Sequence, residues 1–458
     1  MKLTKTFAAS LVLLMAHQVA RGSGFEVRVA PSRAVRSGEP EVAVNPTHPD
    51  NIAFFAMKDR LPYARPGSRR WTEKGYMDCE MSVSLDRGRT WKERGNPFMT
   101  GRQTLCADPM VAFGPDGMLY AAADAMSIDP TNPKRWLLGE VEVARSSDGG
   151  ITWSAPIISG TPFDRPFLVV DASDGTVYLS SSCIDPKASY CRAHIRYVLA
   201  SRDRGLAWSE RVRLDTPRYP SLGDGTISAA GGWLAVAYVS PTGPGCPCLV
   251  FGRTRNAGGS WNHVVVPRSQ PISSLALVAA DPARTDAYAI VTQSRDGQSY
   301  LAFVTRDGGK SWQGPAVIAN TPRRVGFKPW VAFSPEGVLG LVWRAYDAPP
   351  AEVSLPKEPE GDVPPGRTFP YEFWGAISRD GGVTFTRPLQ LSGAPSPAAE
   401  PGQMAPDDES FVTLDEDDLH YAWGDWRGGN LCAWYGRTPL ADFRPVAARR
   451  RGFAPARR

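Results

Sequence analysis

The sequence predicts an all-β protein built from repeated four-stranded units, and three observations indicate it. Short apolar runs alternate with turns, and the 44 Gly and 42 Pro residues are spread along the whole chain. A short motif that ends in an aromatic residue occurs six times, at spacings of 51 to 73 residues. In the clearest units two strand-like runs precede the motif, a third strand enters it and a fourth leaves it. Four antiparallel strands repeated at this period are typical of the blades of a β-propeller.

We predict a ring of seven blades. The first blade opens at residues 41–56, and the last unit, at residues 410–426 and 431–437, has strands but lacks the motif and an outer strand. Residues 25–30 (FEVRVA) could supply that outer strand and close the ring without a free sheet edge. If the first or last unit is misread, a six-bladed propeller is the alternative.

The repeated motif has a structural explanation at every position. Its Asp can accept hydrogen bonds from backbone amides a few residues on, and its Gly positions can adopt positive φ. Its Trp is large enough to be buried between neighbouring blades. We therefore predict that the motif builds turns and is not catalytic. The predicted turn residues at its Asp position are Asp86, Asp148, Asp203, Asn256, Asp307 and Asp380.

This motif resembles the Asp-box, or BNR repeat, of the sialidase-like propellers. The resemblance rests on Ser84, Asp86, Gly88, Thr90 and Trp91 and on the corresponding residues of the other five copies, over most of the chain. In that family the motif lies on the face opposite the active site. The resemblance therefore implies that the functional residues lie in the loops of the other face.

We expect two sets of functional residues on that face, where the first strands begin and the second strands end. The candidate catalytic residues are Asp108, Asp164, Arg165, Arg344, Tyr371 and Glu409. The candidate substrate-binding residues are Arg60, Lys328, Asp425 and Arg427. Carboxylates and cations together in a concave site can bind anionic sugars and perform acid–base catalysis. The alternative is that these are strand-end charges that pair with one another or are solvated.

Sialidases bind the substrate carboxylate with three arginines, use an Asp as acid–base catalyst, and use a Tyr activated by a Glu as nucleophile. The first arginine usually stands in an Arg-Ile-Pro sequence before the first strand, where this chain reads SGEPEVAV at residues 37–44. Arg165, in an Asp-Arg-Pro sequence two blades later, is the nearest match. Arg324 and Arg344 are further candidate arginines, and Tyr346, Tyr371 and Glu409 are candidates for the nucleophile pair.

Three functions are compatible with this pattern. We expect an exo-glycosidase, similar to an exo-α-sialidase, that acts on terminal anionic sugars of glycans. A non-catalytic propeller that binds glycans or proteins is the alternative, so the sequence leaves open whether the chain is an enzyme. A polysaccharide lyase that uses His194 or His420 ranks behind both.

The first residues read as a secretory signal. Lys2 and Lys5 precede an apolar run at residues 7–16, and Ala20-Arg21-Gly22 offers small residues for cleavage near Gly22. We expect a signal peptide at residues 1–22, one propeller domain at 23–446 and a disordered basic tail at 447–458. The expected location is secreted or periplasmic, and no other apolar segment is long enough to span a membrane.

Charge and histidine content restrict the partners. Removing the three basic residues of the signal and the five arginines of the tail from the net charge of +5 leaves the body at −3. Nothing in this charge suggests a nucleic acid partner. The resemblance to sialidase-like propellers implies a carbohydrate or glycoconjugate ligand, and we expect a monomer. No cofactor or metal is expected, because none of the five histidines has ligand-like spacing with a cysteine.

The sequence contains seven cysteines, and an exported chain would reach an oxidising compartment in which disulfides can form. Cys79 with Cys106, and Cys183 with Cys191, are plausible disulfides, and the odd total leaves at least one thiol. Cys246 and Cys248 are spaced too tightly in sequence for a relaxed bridge between them.

Overall fold

The structure is a computed structural model that describes most of the chain between residues 23 and 445. The described segments are residues 23–29, 37–59, 77–98, 105–129, 132–137, 140–160, 165–182, 195–221, 225–256, 259–268, 275–294, 297–319, 324–347, 370–397, 410–429 and 431–445. The predicted signal peptide and basic tail lie outside them. None of the helices in these segments is long and apolar enough to cross a membrane.

Seven antiparallel sheets form the blades, and six of them follow one another along the chain. After β1 (Phe25–Arg28), blade 1 contains β2 (Ser37–Val44), β3 (Ile52–Asp59), β4 (Met77–Ser84) and β5 (Lys92–Gly95). Blade 2 contains β6 (Leu105–Phe113), β7 (Leu119–Asp129), β9 (Val141–Ser146) and β10 (Ile157–Ile158), and β8 (Asn132–Leu137) pairs with the end of β7. Blade 3 contains β11 (Phe167–Val170), β12 (Val177–Ser182), β13 (Arg196–Ser201) and β14 (Val212–Arg213).

The next three blades repeat this order. Blade 4 contains β15 (Thr226–Ala230), β16 (Trp233–Ser240), β17 (Cys248–Thr254) and β18 (Asn262–Val265). Blade 5 contains β19 (Leu277–Ala280), β20 (Tyr288–Gln293), β21 (Ser299–Thr305) and β22 (Gln313–Ala319). Blade 6 contains β23 (Arg324–Phe333), β24 (Leu339–Asp347), β25 (Tyr371–Ser378) and β26 (Leu389–Gln390).

Blade 7 closes the ring with a strand from the other end of the chain. It contains β27 (Ser410–Leu414), β28 (Asp418–Asp425) and β29 (Cys432–Pro439), and a short 3-10 helix follows at Leu440–Asp442. Its outer strand is β1, which pairs antiparallel with β29 so that Phe25 lies opposite Arg437. The prediction of seven blades is confirmed, and so is the closure of the last blade by the segment that begins at Phe25.

The first strand of each blade lines the centre of the ring. First strands of neighbouring blades contact each other from β2 to β27, and β27 contacts β2. Hydrophobic clusters lie between neighbouring sheets. One of them joins Phe55 and Met81 of blade 1 to Val111 and Leu119 of blade 2.

The aromatic residues that end the motif lie between blades. The Trp91 ring of blade 1 is 5.0 Å from the Tyr435 ring of blade 7. The Trp312 ring of blade 5 is 5.3 Å from the Phe251 ring of blade 4. Burial of a large aromatic side chain contributes roughly 1.5–3 kcal/mol or more, so each motif stabilises the contact with the preceding blade.

The motif itself forms a hydrogen-bonded turn between the third and fourth strands. In blade 2 the Ser146 hydroxyl accepts the Gly150 amide at 2.8 Å and donates to Asp148 at 2.7 Å. Asp148 also accepts the amide of Thr152 at 2.9 Å and its hydroxyl at 2.6 Å. The same set of bonds recurs around Asp86, Asp307 and Asp380.

These bonds favour the ionised carboxylate. Burial opposes ionisation of Asp148, but the hydrogen bonds from Thr152 and Ser146 outweigh it and lower its pKa to about 2. At Asp307 the Ser311 hydroxyl, followed by the Ser311 amide, lowers the pKa to about 2.

The cysteines confirm one sequence prediction. Cys79 at the start of β4 and Cys106 in β6 form the predicted disulfide and link blades 1 and 2. Cys246 and Cys248 are bonded to each other, and their Cα atoms are 4.2 Å apart. Cys432 is a buried thiol, and burial raises its pKa to about 11. Cys183 and Cys191 lie outside the described residues.

Replacing the buried motif hydroxyl tests the turn. Ser146→Ala leaves the buried Gly150 amide without its acceptor, so we expect the free energy of unfolding to fall by about 1–3 kcal/mol in urea titrations. Ser146→Thr is the matched control, because Thr305 accepts the Gly309 amide at 2.8 Å in blade 5. Equal stability of the Ala and Thr variants would contradict this role.

The lowered carboxylate pKa values predict an acid-dependent loss of stability. An unfolded Asp has a pKa of about 3.9, so the unfolded chain binds more protons than the folded chain below about pH 4. The contribution of Asp148 and Asp307 is complete above about pH 4 and is lost as the pH falls towards 2. Denaturant unfolding of the wild type and of Asp148→Asn across this range measures it. The free energy of unfolding of the Asn variant should depend less steeply on pH than that of the wild type. Parallel pH profiles of the two proteins would contradict a stabilising role for the ionised Asp148.

The disulfide between blades 1 and 2 should add measurably to stability. It spans 27 residues, and the double variant Cys79→Ser/Cys106→Ser is expected to lose about 2–4 kcal/mol of unfolding free energy. The variant Cys246→Ser/Cys248→Ser is the comparison, because that bond spans only 2 residues and constrains the unfolded chain less. A larger loss in the second variant would refute the prediction.

Candidate functional site

Strand direction divides the propeller into two faces. Because the strands of a blade alternate in direction, the turns after the first and third strands share one face, which we call the motif face. The starts of the first strands and the ends of the second strands share the other face, which we call the channel mouth. The predicted catalytic and binding residues that the structure describes lie at the channel mouth.

Three charged residues at the channel mouth have a left-handed backbone. Glu39, Asp108 and Arg165 have φ angles of 47°, 48° and 48°, and we call them the mouth residues. Each is half-buried and is followed by a buried proline. A left-handed conformation is unfavourable for a residue with a side chain, and it costs about 1–3 kcal/mol unless its surroundings impose it. Residues held in this way cluster at functional sites.

Bulges in the first strands accompany this geometry at Glu39 and Asp108. The pairing of β2 with β3 shifts between Gly38 and Glu41, and the pairing of β6 with β7 shifts between Ala107 and Met110. The same shift occurs between Phe327 and Trp330 of β23, where the chain reads Lys-Pro. A bulge redirects a side chain, and proline can occupy it because it has no N–H to contribute to the ladder. A charged residue followed by proline therefore lies within, or directly before, four of the seven first strands.

Aromatic side chains fill the channel below the mouth residues. The Trp330 ring of blade 6 lies 5.6 Å from the Phe167 ring of blade 3 and 4.4 Å from the Phe411 ring of blade 7. Blades 3 and 6 are not neighbours in the ring, so this contact crosses the channel. We call Phe167, Trp330 and Phe411 the aromatic plug. It gives the channel mouth an apolar floor beneath a charged rim.

The structure brings Asp108 and Arg165 together. The Arg165 amide donates to the Asp108 carboxylate at 2.9 Å. The Arg165 carbonyl accepts a hydrogen bond from the Arg196 guanidinium at 2.9 Å, and Arg196 lies 4.4 Å from the centre of the Phe167 ring. Both polar groups of the left-handed Arg165 backbone are thereby held, which fixes the direction of its side chain.

Arg344 and Tyr371 are also neighbours. The fully buried Arg344 guanidinium lies 5.5 Å from the centre of the Tyr371 ring, and the Tyr371 hydroxyl donates to the Gly424 carbonyl of blade 7. Arg344 lies opposite Phe327 in blade 6, and Asp124, which is 1% exposed, lies at the equivalent place opposite Ala107 in blade 2. Buried charged groups are costly and are concentrated at functional sites.

Asp425 and Arg427 pair with each other and with the N-terminal strand. The buried Asp425 carboxylate accepts the Arg427 side chain at 2.9 Å, and Arg427 also binds Glu26 of β1 at 2.6 Å. Burial raises the pKa of Asp425, against the lowering effect of Arg427. Two carboxylates of blade 7 therefore neutralise the charge of Arg427, and the ion pair of Arg427 with Glu26 holds β1 in place.

The remaining predicted residues lie wholly or partly outside the described part of the chain. Arg60, Asp164 and Glu409 are outside it, and only the backbone of Lys328 is described. Sequence reasoning overlooked Glu39. Its signal was the Glu39-Pro40 sequence, which lies in a first strand as Asp108-Pro109 does.

A second charged cluster lies on the motif face. Ligand atoms of Asp415, Asp418 and His420 lie within 4.8 Å of one another, which is close enough to hold a metal ion. The Arg87 guanidinium of blade 1 occupies this place, at 2.8 Å from Asp415 and 3.0 Å from Asp418, and Arg437 is 3.0 Å from Asp418. The two guanidinium groups would repel a metal ion and already neutralise the carboxylates. The cluster therefore acts as an ion-pair network that joins blade 7 to blade 1.

Comparisons with known proteins concern the fold. No protein-family model and no curated protein sequence matches the chain. It is similar in structure to a protein of unknown function from Dyadobacter fermentans DSM 18053, with 13% identity and a TM-score of 0.51 over 92% of this chain and 99% of that one. It is also similar to the Hadza microbial sialidase Hz136, with 13% identity and a TM-score of 0.42 over 93% and 98% of the two chains. It is similar as well to an α-L-arabinanase from Penicillium chrysogenum, with 15% identity and a TM-score of 0.41 over 74% of this chain and 94% of that one.

Proposed function

We propose that this chain is a sialidase-like propeller with Asp-box turns, and that its channel mouth binds and hydrolyses terminal sugars of glycans. The observation that carries the proposal is the set of mouth residues. Glu39, Asp108 and Arg165 hold charged side chains at equivalent places in strained backbone conformations, directly above the aromatic plug. Left-handed backbone also occurs in turns of the motif face, at Arg87, Arg204 and Asp286, so the support comes from its recurrence at charged residues of three successive blades around one channel.

The chemistry of the rim and floor suits a sugar. Aromatic faces pack against the C–H groups of a pyranose ring, and carboxylates and guanidinium groups bind its hydroxyls. Arg165 would hold an anionic substituent by charge-assisted hydrogen bonds. We therefore favour a terminal sugar that carries a negative charge.

We assign the acid–base role to the carboxylates of two neighbouring blades. Asp108 would protonate the leaving glycosidic oxygen, and Glu39 would serve as the second carboxylate that glycoside hydrolysis ordinarily requires. The Arg165 amide, 2.9 Å from one Asp108 oxygen, would fix the orientation of that acid. Arg344, Tyr371, Asp164 and Glu409 complete the proposed catalytic set, and Arg60 and Lys328 the proposed binding set.

Export from the cytoplasm is part of this proposal. The signal-like sequence at residues 1–22 and the disulfide between Cys79 and Cys106 both fit a secreted or periplasmic protein. Glycans of the cell surface or the surroundings would be the substrates there.

A non-catalytic glycan-binding propeller is the second candidate. The observation that favours it is the ion pairing of Asp425 and Arg427 with Glu26, which withdraws two charged groups from any ligand. Under this alternative the rim would recognise a sugar without cleaving it.

Isosteric variants of the mouth carboxylates separate these functions. The exported chain would be incubated with sialylated, uronate-containing and neutral oligosaccharides, and released monosaccharide would be followed by mass spectrometry. Asp108→Asn should lower kcat/KM by about 100-fold or more. Asn adopts a left-handed backbone as readily as Asp, so the fold should be retained. Arg165→Gln should mainly raise KM.

Asp116→Asn is the matched control, because Asp116 lies on the motif face in an exposed ion pair with Arg204. It should leave turnover unchanged. Equal activity of Asp108→Asn and the wild type would refute the catalytic assignment. Glycan binding that Arg165→Gln weakens, with no turnover by the wild type, would establish the second candidate instead.

A further inference from the structure

The first described residue contacts the end of the last blade. The backbone nitrogen of Ser23 lies 2.5 Å from Asp442 Oδ2, and the Ser23 hydroxyl lies 2.7 Å from the same oxygen. Asp442 ends the 3-10 helix that follows β29, and Ser23 stands just before β1. One carboxylate oxygen thus receives two donors from a residue 419 positions away in the sequence.

The chain at this point lies close against β29. A Cβ atom added to Gly24 would lie 2.1 Å from the Arg437 carbonyl oxygen and 2.5 Å from the Thr438 hydroxyl. Glycine is therefore required at position 24 for the segment to reach Asp442. The Asp442 carboxylate that accepts the Ser23 amide could also accept a charge-assisted hydrogen bond from an ammonium group at the same place.

The sequence supplies a reason for a cation there. Residue 23 directly follows Gly22, near which the signal-like segment is expected to be cut. Hydrolysis of the Gly22–Ser23 bond by a leader peptidase and water leaves a carboxylate on Gly22. The amino group on Ser23 takes up a proton and becomes an ammonium ion. The amide at this position would then be replaced by a charged group with three donors.

We propose that Ser23 is the N-terminus of the processed protein and that Asp442 is the receptor for its ammonium group. The ion pair anchors the free end of β1 on blade 7, where Arg427 holds the same strand through Glu26 at 2.6 Å. Removal of the leader thereby converts an amide contact at the edge of the closed ring into an ion pair. This inference is independent of the proposed glycosidase activity.

Two measurements test the proposal, and neither needs a substrate. The full chain with its leader is expressed in an exporting bacterial host, and the intact mass of the exported protein identifies its first residue. The α-amino group is then labelled with an amine-reactive ester across pH 6–10, and the labelled N-terminal peptide is quantified. The variants are Asp442→Asn and the matched control Glu416→Gln, which removes an exposed carboxylate from the preceding turn of the same blade.

We expect the exported chain to begin at Ser23. Pairing with a carboxylate raises the pKa of an α-amino group above its usual value of about 8, so labelling near pH 8 should be about threefold slower in the wild type than in Asp442→Asn. Glu416→Gln should label like the wild type. A first residue other than Ser23, or equal labelling of the wild type and Asp442→Asn, would overturn the proposal.

Discussion

Closure of the ring between blade 7 and blade 1 is the constraint on which the rest of the structure depends. Blade 7 has three strands of its own, and β1 covers its outer edge from the other end of the chain. On the motif face Arg87 of blade 1 binds Asp415 and Asp418 of blade 7 at 2.8 and 3.0 Å. Burial opposes ionisation of Asp415, but His420 lowers its pKa to about 2, so the carboxylate stays charged opposite the arginine. Without these contacts two sheet faces and one strand edge would be open to water.

A closed ring also explains how the channel mouth can hold strained residues. The Phe167, Trp330 and Phe411 rings meet across the channel only if the ring places blades 3, 6 and 7 at fixed distances. Hydrogen bonds to the amide and the carbonyl of Arg165 from neighbouring residues hold its left-handed conformation. The stability gained between blades therefore compensates for the strain at the mouth.

The sequence predicted the repeating strands and the closing strand, and it missed individual side-chain pairings. The paired strand-like runs gave seven blades from six motifs, and the segment that begins at Phe25 indicated the closing strand. The pairing of Arg427 with Glu26 joins residues 401 positions apart, and no local pattern indicates it. Glu39 was overlooked because the sequence does not show the left-handed backbone that Glu39 shares with Asp108 and Arg165.

The proposed function places stability and chemistry on opposite faces of the propeller. On the motif face, the Asp carboxylates are held ionised by hydrogen bonds within each turn, so their charges serve the turn itself. At the channel mouth, Asp108 has a left-handed backbone and accepts a backbone amide from the next blade. A carboxylate that a neighbouring blade holds in place is suited to the proposed action on a ligand. Under this proposal the same residue type has two different roles in the chain, and the hydrogen-bond partners of each carboxylate distinguish them.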